Sequence, residues 1–268
     1  MTNQMGLLRN LGDTTRLPSR NLWKLFPWDD IDNQRCDGIV YFNDFTASPN
    51  VPAGAEAAFG DFHGFASTGG SVTSGEEDGS TLVLSSDGDD EGASIGLQNQ
   101  AFRISSGKGN VIFEARIKKS ALTDSKIGVV CGMSDGTALS ATVPIAADAT
   151  LASHNFVGFH NLEADGDTFD AVYRADGVAR VNILVDAVTV VADTYVKLGM
   201  KFDTSTNVLT MYKDGQAIAD ATKTVPNATG DDFPADVNLG FVFGVLNGSA
   251  STPGSAEIDW VRIGQEII

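Results

Sequence analysis

The residues best equipped for chemistry lie in "SAEIDWVRIG", residues 255–264. Glu257 and Asp259 stand two apart, so along a regular β-strand their carboxylates leave one face together. Paired carboxyls are the equipment of glycoside hydrolysis: one protonates the leaving oxygen while the other attacks, and the retaining reaction needs them about 5–5.5 Å apart. Three positions past Asp259 the chain has Arg262. A regular strand would turn that side chain to the opposite face. The stretch therefore reads as a terminal structural strand, with Trp260 in the core or at its edge and Arg262 beside an acidic neighbour.

Other reactive groups are scattered. His154 and His160 are six apart and would share a face of a strand through "HNFVGFH". There they could hold a metal or line a sugar site with Phe156, Phe159 and Tyr173 as stacking platforms. The loop "SSDGDDEGAS" offers Asp87, Asp89, Asp90 and Glu91. Calcium takes six to eight oxygens, so a structural Ca²⁺ is the alternative to plain solvated acidic turns; the spacing matches no EF-hand. No other cofactor is expected. No nucleophile elbow, H-E-x-x-H helix or P-loop is present.

Charge narrows the partners. With 35 acidic against 18 basic residues the net charge is −17, which excludes a surface that tracks nucleic-acid phosphates. No apolar run nears the roughly 20 residues that span a bilayer, so no membrane contact is expected. The opening "MTNQMGLLRNLGDTTR" lacks the apolar stretch of a secretion signal. Cys36 and Cys131 cannot build a disulfide framework, and Cys131 reads as a small buried apolar residue. A protein made in a cytoplasm and not secreted is the expectation.

The elements that must position these groups are strands. In "VIFEARIKK" (111–119), Phe113, Ala115 and Ile117 alternate with Glu114, Arg116 and Lys118, the period of a half-buried strand. Further strands are expected at 38–45, 126–134, 154–161, 168–174, 180–186 and 195–203, the last with Leu198, Met200 and Phe202 inward. Residues 207–219 form a hairpin turning at Asp214-Gly215, and 237–247 a central strand apolar on both faces. No long window has a helical period, so the fold class is all-β, a jelly-roll-like sandwich of two antiparallel sheets.

The run "YVKLGMKFDTSTNVLTMYKDGQAI" followed by an apolar strand and "AEIDWVRIG" resembles the C-terminal half of concanavalin A-like lectin/glucanase (laminin-G-like) domains, over roughly residues 38–268. The resemblance implies that the last strand lies beside the first. In the glucanases of this fold an E-x-D-x-x-E motif lies on a bulged mid-sheet strand, with a second glutamate where Arg262 stands here. The fold hosts lectins, hydrolases and structural modules alike.

Residues 1–36 differ from the acidic body, residues 37–268. They hold five basic residues against four acidic ones and two of the three tryptophans. "SRNLWKLFPW" (19–28) predicts one or two helical turns, capped by Ser19 and stopped before Pro27, with Leu22, Leu25 and Phe26 on one face. So short a helix is not stable alone, and large rings need a surface to cover them. An extended arm that docks on a partner through Arg9, Arg16, Arg20, Trp23, Phe26 and Trp28 is the expectation; the alternative is that it covers its own domain.

Together these features resemble virion proteins of tailed bacteriophages. That implies a non-enzymatic capsid decoration (cement) protein on the outer capsid surface. Its partners would be the major capsid protein or other virion subunits, with a homo-oligomer and a host surface glycan as further partners. The second reading is a carbohydrate-binding tail or fibre module; the third is a β-glucanase.

Overall fold

The computed structural model describes residues 16–24, 26, 37–46, 50–75, 80–122, 127–135, 144–145, 151–226, 232–248 and 254–267. Among the described residues one short α-helix, α1 (Arg20–Trp23), precedes sixteen strands. They are β1 (Asp37–Asn43), β2 (Glu56–Phe59), β3 (Phe62–Ala66), β4 (Gly70–Ser74), β5 (Leu82–Ser86), β6 (Gly92–Leu97), β7 (Val111–Lys119) and β8 (Ile127–Ser134). Then come β9 (Phe156–Asn161), β10 (Thr168–Arg174), β11 (Val181–Thr189), β12 (Val196–Asp203), β13 (Val208–Lys213), β14 (Gln216–Thr224), β15 (Gly240–Asn247) and β16 (Gly254–Ile267).

These strands form two antiparallel sheets. The first runs β14-β13-β12-β7-β16-β5-β4, with β1 beside the far half of β16; the second runs β11-β10-β9-β8-β15-β6-β3-β2. The last strand pairs with the first, Asp37 opposite Ile267 through Asn43 opposite Val261, as the resemblance implied. The alternating strands orient as their sequences require. Phe113, Ala115 and Ile117 enter the core from β7, Leu198, Met200 and Phe202 from β12, and Ile127, Val129, Cys131 and Met133 from β8. β15 is buried along its whole length, as a central strand covered on both sides must be. The hairpin turns at Asp214 and Gly215, both at positive φ (49° and 73°), the pairing that a two-residue turn demands. Burial pushes the Cys131 thiol pKa far up, so it is an inert apolar filler.

Each sheet is also covered over the middle of its outer face. Over the second sheet, Ile145 and Leu151 pack on Val130, Phe156, Val172, Val242 and Leu246. Over the first sheet lies the chain's own segment 16–26, where Leu22, Trp23 and Phe26 cluster with Ile112. Residues 16–24 and 26 are thus physically part of the sandwich.

Candidate functional site

The best-built feature is the seat of this segment on the outer face of β7, β12 and β16. Strand alternation that sends Phe113 and Ala115 inward sends Ile112, Glu114 and Arg116 outward. Glu114 is nevertheless fully buried, because the segment lies over it. Its Oε2 accepts hydrogen bonds from the Ser19 backbone N–H at 2.9 Å and the Trp23 indole Nε1–H at 2.8 Å. Ser19 makes no side-chain cap; its carbonyl instead accepts the Leu22 and Trp23 N–H groups that open α1. Arg262, opposite Glu114 across the β7–β16 ladder, lays its guanidinium 4.5 Å from the Trp23 ring centroid. Burial lowers its pKa to about 10, opposed by the nearby Glu114 charge.

Glycines shape the floor. A Cβ on Gly199 would stand 2.8 Å from Leu22 Cδ2, and one on Gly264 would stand 2.7 Å from the Phe26 ring. Both are closer than carbon atoms approach, so the two missing side chains leave hollows that Leu22 and Phe26 fill. The far end is latched by charge. Arg16 donates to both oxygens of Asp259, Nε at 3.1 Å to each and Nη2 at 2.5 Å to Oδ1; Arg116 Nη1 donates to Oδ2 at 2.5 Å. The Trp260 indole donates to the Arg16 carbonyl and Lys197 Nζ to that of Leu17. The sheet face is a groove whose steps and polar groups match one peptide.

The opening carboxylates are part of this latch. A β-bulge at Asp259 interrupts the β7–β16 register between Ile258 and Trp260. The extra residue restores Arg262 to the face of Glu257 and Asp259, correcting the expectation from a regular strand that it points away. Trp260 likewise lies outside the core, buried beneath Arg16 and within 6.4 Å of the Phe42 ring. Glu257 accepts hydrogen bonds from Thr81 and from the Tyr195 hydroxyl at 2.9 Å, and pairs with Lys118 at 2.9 Å. Asp259 is held by two arginines. Both carboxylates are thus engaged by neighbouring donors and cations.

The partner-docking set is divided accordingly. Trp23 and Phe26 are buried on their own sheet and Arg16 pairs with Asp259, so these three cover their own domain, the alternative to docking on a partner. Arg20 is exposed. Arg9, Trp28 and Leu25 lie outside the described residues. The sugar-binding set is not assembled either. Phe159 and Tyr173 face the core, Phe156 is covered by Ile145 and Leu151, and His160 is fully buried. His154 precedes β9, so the six-residue spacing does not place the two histidines on one strand. His160 instead faces Arg180 at 3.1 Å, which pairs with Asp170 at 3.2 Å; burial lowers the imidazole pKa to about 3 and keeps it neutral. Among the described residues, Asp87, Asp89, Asp90 and Glu91 included, no three His, Cys, Asp or Glu side chains converge.

Sequence reasoning missed Glu114 as a functional residue. The available signal was a carboxylate opposite an arginine at the centre of a sheet, with glycines on the neighbouring strands.

Burial raises the Glu114 carboxyl pKa, against the lowering effect of the Ser19 and Trp23 hydrogen bonds. A folded pKa above the unfolded one gives stability that is complete below the ordinary glutamate pKa and is lost as pH rises through the raised value. Seating of the segment is therefore expected to weaken from acid towards neutral pH. In Glu114→Gln, which keeps an acceptor for Trp23, that slope should flatten. Amide exchange at residues 19–24, followed against pH in both proteins, measures it.

No protein-family model matches the chain, and no curated protein does. Solved structures do. An endo-1,3-β-glucanase from Streptomyces sioyaensis matches with TM-score 0.56 at 12% identity over 84% of this chain and 94% of its own. A protein of unknown function from Shewanella oneidensis MR-1 matches with TM-score 0.52 at 13% identity over 91% and 95%. The carbohydrate recognition domain of Emp46p, in a potassium-bound form, matches with TM-score 0.51 at 14% identity over 76% and 88%. The class is thereby fixed: the chain has the concanavalin A-like sandwich fold shared by lectin domains and β-glucanases. Identities this low carry the fold and no activity.

Proposed function

We propose that the protein is a non-enzymatic structural component of an assembly, specifically a virion decoration protein of the capsid-cement kind. The observation that supports this reading is that the middle of each outer sheet face is covered, one by Leu22, Trp23 and Phe26 and the other by Ile145 and Leu151. A polysaccharide needs an open face to lie along. Three of the carboxylates on these faces, Glu257, Asp259 and Asp170, are committed to Lys118, Arg16 with Arg116, and Arg180. The acidic exterior and the absence of disulfide stapling suit a protein that works on a particle made inside a cell. Trp23 and Phe26 are covered by the chain's own sheet, so their rings lend this reading no support.

Two measurements test it. Purified protein should co-sediment with the virions of the phage that encodes it and not with insoluble polysaccharide; the reverse pattern overturns the reading. No reducing ends should be released from 1,3- or mixed-linkage β-glucan. Release that disappears in Glu257→Gln would establish the enzyme instead.

The carbohydrate-binding reading keeps one observation in its favour. A hollow of about 160 Å³ at one end of the sandwich is lined by half-exposed Phe42, Phe59, Asn43, Asp44, Thr46 and Asp61, an aromatic face beside hydroxyl-binding groups. Glycan-array binding lost in Phe42→Ala would favour it.

A further inference from the structure

Segment 16–26 behaves as a ligand tethered to its own receptor. Its apolar residues form a cluster with Ile112 separate from the main core, and its covalent link to β1 is residues 27–36. Ten residues reach at most about 35 Å. The seat is specific: hollows at Gly199 and Gly264 fit Leu22 and Phe26, Glu114 receives Ser19 and Trp23, and Asp259 receives Arg16. Nothing in those contacts distinguishes the segment of the same chain from that of another copy. The peptide that satisfies them all is this one.

The surroundings of the groove favour a second copy. β1 has β16 on one side and, among the described residues, no strand on the other. Its outward side chains Val40 and Phe42 are 39% and 50% exposed, and Leu17 of the segment is 44% exposed. Val40 lies opposite Gly264, under Phe26, and Phe42 lies opposite Arg262, over which Trp23 sits. Among the described residues, an edge without a strand partner and an apolar strip therefore flank the seat directly. Edges of this kind pair readily with another strand.

We propose that the protein associates with a second copy across the β1 edge and exchanges segment 16–26, each copy's Leu22, Trp23 and Phe26 filling the other's groove. The exchange makes a closed two-fold dimer in which every groove contact is kept and the strip around Val40 and Phe42 is newly buried. Because the groove contacts are the same in cis and in trans, concentration decides between them, and the cis form dominates in dilute solution. The inference concerns self-association and holds or fails independently of the particle reading.

The test uses two full-length variants. Trp23→Ala with Phe26→Ala spoils the segment and leaves the groove; Gly199→Val with Gly264→Val spoils the groove and leaves the segment. In sedimentation equilibrium each should remain at monomer mass, while an equimolar mixture should shift towards twice that mass as concentration rises. A mixture that stays monomeric to millimolar concentration overturns the proposal, as does equal dimerisation of either variant alone. Should the valine variant fail to fold, photo-leucine at position 22 in mixed isotopically heavy and light wild-type protein gives the same answer. Heavy–light cross-links between position 22 and β12 support exchange; same-isotope links alone across that concentration range overturn it.

Discussion

Trp23→Ala is expected to release residues 16–26 from the sheet while the two-sheet core stays folded. The indole is buried and its Nε1–H occupies Glu114 Oε2. Truncation removes a large ring from a packed cluster, at a cost of about 3–5 kcal/mol for Trp-to-Ala changes in cores. It also takes a donor from a buried carboxylate and the stacking surface from Arg262. A segment held by one small cluster cannot absorb that loss, whereas the main core contains none of its side chains. Amide protection at Leu22–Lys24 should fall to near the level of an unfolded peptide, and protection in β8 and β15 should hardly change. Simultaneous loss in β8 and β15 would mean that the segment is integral to the core.

Gly264→Val should produce the same release from the opposite side of the contact. Valine suits a strand better than glycine does, so the substitution favours β16 itself. Its Cβ, however, would enter the space of the Phe26 ring at 2.7–2.8 Å. Overpacking of this kind costs about 1–3 kcal/mol, and the movable partner is the segment rather than a strand paired on both edges. Unchanged or higher thermal stability of the sandwich, with exposed Phe26 and increased proteolysis near residue 26, is the expected outcome. If Phe26 remains protected, the hollow is not what seats it.

Much of the sandwich was legible in the sequence because alternation is a local signal. β7 and β10 coincide with the runs 111–119 and 168–174, and the Asp214-Gly215 turn follows from the positive φ such a turn demands. β2 to β6 were not specified, because the Gly-, Ser- and Asp-rich stretch 56–97 packs short strands with little alternating contrast. The site was harder to see, for a different reason. Alternation tells which side of a sheet a residue takes and not what lies on that side, so Glu114 read as a solvent group although it is fully buried. The Asp259 bulge is invisible to period counting, and one extra residue was enough to reverse the expected side of Arg262. Phe159 and Tyr173 suggest sugar platforms by residue type alone, whereas their strand positions send them inward.

The partnership of β1 and β16 has a kinetic side. Asp37 meets Ile267 and Asn43 meets Val261, so the first strand must wait while more than two hundred residues of chain are made and arranged before its ladder can close. Contacts between such distant parts of a chain slow folding towards the millisecond-to-second range. During that interval β1 is an unclaimed apolar ribbon open to chaperones and to other nascent chains, and the yield of soluble protein should depend on how quickly β16 arrives.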